Sequence, residues 1–220
     1  MRKLLILSVL AVIAFAACKK KETPVSTLYT YSPPVITIAG AQYYSIPVGG
    51  VLPNIAATAY DTFYHESYQV LLDQSTLDNT TPGLYVVTAS ARNKYGMLGT
   101  KSVYVAVTDI DPTIDLTGKY VRTSNNDTVN VTKLATGLYR TDNVGGVDSV
   151  ANPNNAPAVL PAFFVQTSLA DIILPVQPSA QGTLQGSTGT INMAPPVTFS
   201  YIIVSPSTVF GQSLRTFVKI

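Results

Sequence analysis

The sequence predicts an all-β chain in which a small β-sandwich is followed by a second small β-domain, a β-meander or open barrel. Three observations carry that expectation. Apolar residues recur at every second position in short runs, turn residues separate those runs at the spacing of a sandwich, and charged residues make up only 12% of the 220 against about 25% in ordinary globular chains. Thirteen Tyr with no Trp, among many Val, Thr and Ser, suit pleated surfaces.

Taken in order, residues 35–38 form the first run and end at Gly40, residues 43–48 end at Gly49-Gly50, and residues 55–60 end at Asp61. A run over 68–72 follows. The clearest strand covers 85–92, where Tyr85, Val87, Ala89 and Ala91 face one way and Val86, Thr88, Ser90 and Arg92 the other, the alternation of a half-buried strand. Asn93-Lys94-Tyr95-Gly96 supplies a turn. The last run, 100–108, sets Val103, Val105 and Val107 against Ser102, Tyr104 and Ala106. These runs define a sandwich over 34–110.

Asp109-Ile110-Asp111-Pro112 breaks that strand, and a second domain covers 116–220. Its expected strands are 118–122, 128–133 and 138–141, with a turn at Gly137, then 163–167, 172–174, 188–193, 197–204 and 214–220. They are short, sequential and without helical period, which a meander or small open barrel closes most simply. Residues 142–161, rich in Asn, Gly and Pro, read as an irregular loop, longer than most connections and so a candidate functional surface.

Two stretches resemble known modules. The string PVITIAGAQYYSIPVGG, then AATAYD, then TTPGLYVVTASARNKYGMLGTKSVYVAVTD is similar to a bacterial Ig-like module of surface proteins, which implies an Ig-like β-sandwich and no particular ligand. The string DLTGKYVR, then VNVTKLATGLYRTDNVGG, resembles the C-terminal β-domain of Bacteroidetes-type surface lipoproteins that also carry an Ig-like module.

The beginning of the chain addresses it. Arg2 and Lys3 precede an uncharged apolar run over residues 4–15, well short of the ~20 residues that span a bilayer; residues 1–17 therefore read as a signal peptide. Phe15-Ala16-Ala17-Cys18 resembles the lipobox of bacterial lipoproteins, with Phe15 where leucine is commoner. That resemblance implies a diacylglyceryl thioether on Cys18 and cleavage before it; an ordinary signal with an unmodified thiol is the alternative. The chain has one cysteine, so no intrachain disulfide is available to either domain. Residues 18–33 then form a lipidated flexible tether. Its cluster Lys19-Lys20-Lys21 reads as solvated, with contact to anionic headgroups as the alternative. Cleavage removes two of the 14 basic residues and leaves the rest balanced against 12 acidic ones, so no field of one sign remains to attract nucleic acid.

Residues that could carry chemistry are few. His65 is the sole histidine, which excludes sites built on two imidazoles, and its place in a loop suits a solvated side chain better than a general base. No nucleophile elbow, phosphate loop or zinc spacing occurs. No cofactor and no catalytic residue is expected. Asp109, Asp111 and Asp115 are a weak calcium candidate, with a plain linker as the preferred reading. Tyr43, Tyr44, Phe63, Tyr64 and Tyr68 are candidate ligand-binding residues, because sugars stack on exposed rings. Outward tyrosines on a strand surface are the blander alternative.

The resulting expectation is a non-catalytic lipoprotein of the outer membrane and cell surface, bound to the membrane through its lipid. Its candidate partners are a glycan or an outer-membrane protein of a nutrient-uptake system. The alternative is a structural or adhesion spacer holding the C-terminal domain off the membrane. An unrecognised hydrolase is a third and weaker reading.

Overall fold

The alternating runs around Val87 and Val105 form the two longest strands, each ten residues: β6 (Gly83–Arg92) and β7 (Leu98–Val107), paired antiparallel along their whole length. The computed structural model describes residues 32–220; the signal segment and residues 18–31 of the tether lie outside the described residues.

Around that hairpin two sheets assemble from β1 (Val35–Ala39), β2 (Tyr43–Ile46), β3 (Ala56–Asp61), β4 (Glu66–Tyr68) and β5 (Leu71–Asp73). One has the order β1-β3-β4 and the other β2-β7-β6-β5, with β2 parallel to β7. Their facing sides share a core in which Ile36 and Ala59 of the first sheet meet Ala89 and Ala91 of the second. Val87, Val103, Val105 and Val107 extend it, all 0% exposed. The alternation expected along 85–92 is thus the burial observed. One expected strand, 68–72, is instead two, because the chain leaves β3 after Tyr68 and joins β6 at Leu71.

The second body is a closed barrel rather than an open one. Eight strands follow one another around it: β8 (Gly118–Arg122), β9 (Thr128–Ala135), β10 (Leu138–Thr141), β11 (Ala162–Gln166), β12 (Asp171–Ile173), β15 (Thr188–Asn192), β16 (Thr198–Ser205) and β17 (Leu214–Lys219). Each neighbouring pair is antiparallel. Strand β17 pairs with β16 and also with β8, where Val218 faces Val121, and this second pairing closes the ring. Closure leaves no unpaired edge in the ring, which an open meander would expose at both ends.

Two strands were not expected: β13 (Gln177–Ser179) and β14 (Gly182–Gly186) make a hairpin that leans on the far half of β16. Its first strand is held by a side chain. The Gln177 amide donates to Phe163 O at 2.8 Å, and its oxygen accepts from Phe163 N at 2.7 Å, replacing a ladder rung with a side chain.

Inside the barrel stand Tyr120, Tyr139, Phe164, Phe199, Tyr201 and Phe217, each 2% exposed or less. An eight-stranded ring is just wide enough for side chains to fill, and these rings fill it, with Phe199 and Phe217 centroids 5.0 Å apart. Buried phenols need partners. Tyr120 donates to Leu116 O at 2.8 Å, Tyr139 to Ile114 O at 3.2 Å and Tyr201 to Val144 O at 2.7 Å. Burial pushes the Tyr139 hydroxyl up to about 12.

The two bodies belong to one compact unit, Ser32–Ile220, and share a small core. Ala106, on the side of β7 away from the sandwich interior, is 0% exposed against Leu138 and Val165 of the barrel. Thr108 donates to Gln166 O at 2.7 Å. Gly137 makes this approach possible: it sits at φ +67°, and a Cβ there would meet Thr108 Cγ2 at 2.7 Å.

Candidate functional site

The joint between the bodies leaves a cleft of about 300 Å³ between the end of β2 at Ser45 and Ile46, the linker from Thr108 to Pro112, and Thr136 at the β9–β10 turn. Its wall mixes hydroxyls, a carboxylate and aliphatic side chains, and its size is at the lower end of the range for small-ligand sites.

The acidic residues of the linker each serve a different turn. Asp109 Oδ1 accepts from Val48 N at 2.8 Å, Asp111 Oδ1 from Thr113 N at 2.8 Å and Oγ1 at 2.6 Å, and Asp115 Oδ1 from Thr117 N at 2.8 Å. The Thr113 hydrogen bonds hold the Asp111 carboxyl below the ordinary range. Among the described residues no three His, Cys, Asp or Glu side chains converge on a point that could hold a metal ion.

The five candidate ring residues are dispersed. Tyr43 is half-buried at the joint, its ring stacked on Tyr104 at 5.7 Å and 6.0 Å from Phe163. Tyr44, one residue on, turns to the sandwich core beside Ile46 and Val105. The barrel therefore covers the side of β2 that alternation alone would leave to solvent.

Phe63, Tyr64 and Tyr68 lie at the other end of the sandwich. Phe63 and Tyr64 belong to the β3–β4 turn, and Tyr64 meets Tyr95 of the β6–β7 turn at 4.8 Å. Tyr68 donates to Glu66 at 2.6 Å, and Glu66 pairs with Lys94 at 2.7 Å. Lys94 Nζ also stands 4.7 Å over the Tyr64 ring. His65, at φ +56° in the same turn, shares a 3.2 Å hydrogen bond between its Nδ1 and the Tyr60 hydroxyl.

Beneath these rings is a polar pair that sequence reading did not single out. Asp61 is 0% and Asn93 4% exposed. Asp61 Oδ1 accepts from the backbone of Phe63 and Tyr64 at 2.9 and 3.1 Å, while Oδ2 accepts from Asn93 Nδ2 at 3.0 Å. Asn93 Oδ1 in turn accepts from Tyr95 and Met97 N at 3.1 and 3.0 Å. Burial pushes the Asp61 carboxyl up, but hydrogen bonds from Asn93, Tyr64 and Phe63, with Lys94 nearby, hold it below its ordinary 3.8. The available signal was an Asp ending one strand and an Asn ending another.

The long connection 142–161 is partly a plug. Val144, Gly145 and Gly146 are buried at the mouth of the barrel. There Arg215, 3% exposed, donates to Gly145 O at 3.2 Å and Phe210 O at 2.6 Å, and Arg122 donates to Gly145 O at 3.1 Å. The remainder passes through a 3-10 turn at Pro153–Ala158 and is mostly exposed.

No protein-family model and no curated protein matches the chain. Among solved structures, the lipoprotein BT2262 from Bacteroides thetaiotaomicron is similar over 84% of this chain and 100% of that one, at 18% identity and a TM-score of 0.40. At that score the two chains share a general likeness, and no residue role passes from one to the other.

Proposed function

We propose that this chain is a cell-surface lipoprotein of the outer membrane, anchored through Cys18, that acts as a non-catalytic accessory of a nutrient-uptake system by holding a glycan or a partner protein. The observation that carries the reading is the basic start at Arg2 and Lys3, the short apolar run and Phe15-Ala16-Ala17-Cys18. Diacyl or triacyl anchors gain about 0.8 kcal/mol per buried CH₂ and hold firmly where one chain does not. Within this reading the two-sheet body is an Ig-like module, on the strength of its sequence motifs. The joint cleft supports a binding role, and the linker carboxylates serve turns rather than calcium.

Retention of the intact chain on polysaccharide affinity gels tests the ligand. Thr136→Arg, which fills the cleft, should weaken retention about tenfold, a loss of about 1.4 kcal/mol. Retention untouched by Thr136→Arg would move the site off the joint, and no retention on any polysaccharide would remove the glycan and leave the protein partner.

One observation favours the spacer reading beside it. The joint is packed through Ala106, Leu138 and Val165 and pinned by Thr108 on Gln166 O, which suits a strut of fixed length. A strut predicts that Thr136→Arg leaves cell-surface binding unchanged while variants on the barrel exterior abolish it.

A further inference from the structure

We propose that the sandwich end carrying Phe63, Tyr64 and Tyr95 is a membrane-facing surface that rests in the headgroup layer of the bilayer, with the barrel directed away from it. The proposal rests on the lipoprotein reading and adds an orientation to it.

The chain enters the body at this end. Ser32 O accepts from Asn93 Nδ2 at 3.1 Å. Pro34 crosses β7 so closely at Gly99 that a Cβ there would lie 2.0 Å from Pro34 O. From Cys18 to Ser32 the polypeptide reaches at most about 50 Å even fully extended, so in an anchored molecule this end is the one that the tether holds within that distance of the bilayer. The opposite ends of β6 and β7, where Gly83 faces Val107, lead to the joint, about 30 Å away at ~3.3 Å per residue.

The same end is built for an interface. Phe63 is 44%, Tyr95 49% and Leu98 47% exposed, and the rings of Phe63, Tyr64 and Tyr95 form a continuous row with 4.8 Å steps. Amphipathic rings collect at the headgroup level of membranes, apolar body inward and hydroxyl to water. Lys94 is paired with Glu66 and Arg92 donates to Gly96 O, so adsorption draws on the rings. Such contact is weak alone. Tethering makes it intramolecular, and a weak contact then suffices to set orientation. At the far end of the barrel, beyond Thr141 and Ala162, the exposed stretch 148–158 contains no aromatic residue.

The chain has no Trp, so a single introduced one reports its own surroundings. The chain from Cys18 onward is coupled through that thiol to maleimide lipid in phosphatidylcholine vesicles containing brominated lipid, carrying Tyr95→Trp, Phe63→Trp or Val150→Trp. Tyr95→Trp and Phe63→Trp should shift to the blue and lose most of their emission, while Val150→Trp keeps its own. Phe63→Trp keeps the test open should Tyr95→Trp disturb its turn. Unquenched tip residues, or Val150→Trp quenched as strongly as they are, would overturn the orientation. Coupling supplies the anchor whatever happens to Cys18 in the cell, so a failed orientation is told apart from a failed lipoprotein reading, which shows as an unacylated Cys18 in native membranes.

Discussion

The sandwich and the barrel fill their interiors with different residues. The sandwich core is aliphatic, with Val87, Val103, Val105, Ala89 and Ala91 beside Ile36, Ile46 and Ile55, whereas the barrel core sets six aromatic rings among its aliphatic side chains. Two sheets can close on small side chains because they are free to approach, but a ring of eight strands has a width fixed by its strand number and needs large side chains to fill it. The barrel interior is therefore filled by side chains, and a ligand has no room inside it.

The two interiors should differ most in how they respond to truncated core side chains. Phe199→Ala should cost about 3–5 kcal/mol, because neighbouring rings held in a closed ring cannot collapse into the space left. Val103→Ala should cost about 2 kcal/mol, since the sheets relax toward each other. Denaturant midpoints at constant slope measure both. Equal losses would mean that the ring relaxes as freely as the sandwich.

Next in size is the link between the bodies. Leu138→Ala removes a fully buried contact to Ala106 and should cost about 2–3 kcal/mol. Tyr fluorescence and near-ultraviolet dichroism should then separate into two unfolding transitions where the parent shows one. A single sharp transition in the variant would show that Thr108 and the linker couple the bodies without this core.

At the sandwich end, Asn93→Ala should cost about 2 kcal/mol by removing the donor to Asp61 Oδ2 and the acceptor for Tyr95 and Met97 N. The pH response distinguishes the bodies further. Asp61 is held below 3.8, so it stabilises the fold above that pH and the contribution is lost as pH falls through the lowered folded value. Asp127, by the barrel mouth, is raised by burial and by Asp148 and Asp142, so its penalty is absent below 3.8 and grows as pH rises through the raised folded value. Melting temperatures between pH 5 and 3, as about two units of titration, should fall less steeply in Asp61→Asn than in the parent and more steeply in Asp127→Asn. The opposite order would reverse the assignment of the two carboxylates. The smallest effect should be Val150→Ser, within about 0.5 kcal/mol, because that residue is 94% exposed.

The placement of many strands along the chain was legible because alternation survives where one face is buried. Residues 118–122 and 138–141 were expected and observed without change of bounds, and Val103, Val105 and Val107 do face inward. Three features escaped for physical reasons. The hairpin β13–β14 carries Pro178, Gly182 and Gly186 and is fixed by the Gln177 side chain, a tertiary contact that no local pattern announces. Barrel closure depends on β17 meeting β8 across most of the domain's length. The fate of Tyr43 depended on which side of β2 the barrel would cover. The sandwich end was half-visible: its turn residues stood out, but the Asp61–Asn93 pair joins turns 32 positions apart.

All of these readings of orientation and binding depend on the anchor, and the direct measurement is mass spectrometry of the N-terminal peptide from native membranes. Cys18 should be the first residue and carry a diacylglyceryl thioether, and a Cys18→Ser chain, left with only Lys19, Lys20 and Lys21, worth at most about 1 kcal/mol each at an anionic surface, should be released by a salt wash. An unmodified Cys18, or a Cys18→Ser chain that still pellets with membranes, would contradict it.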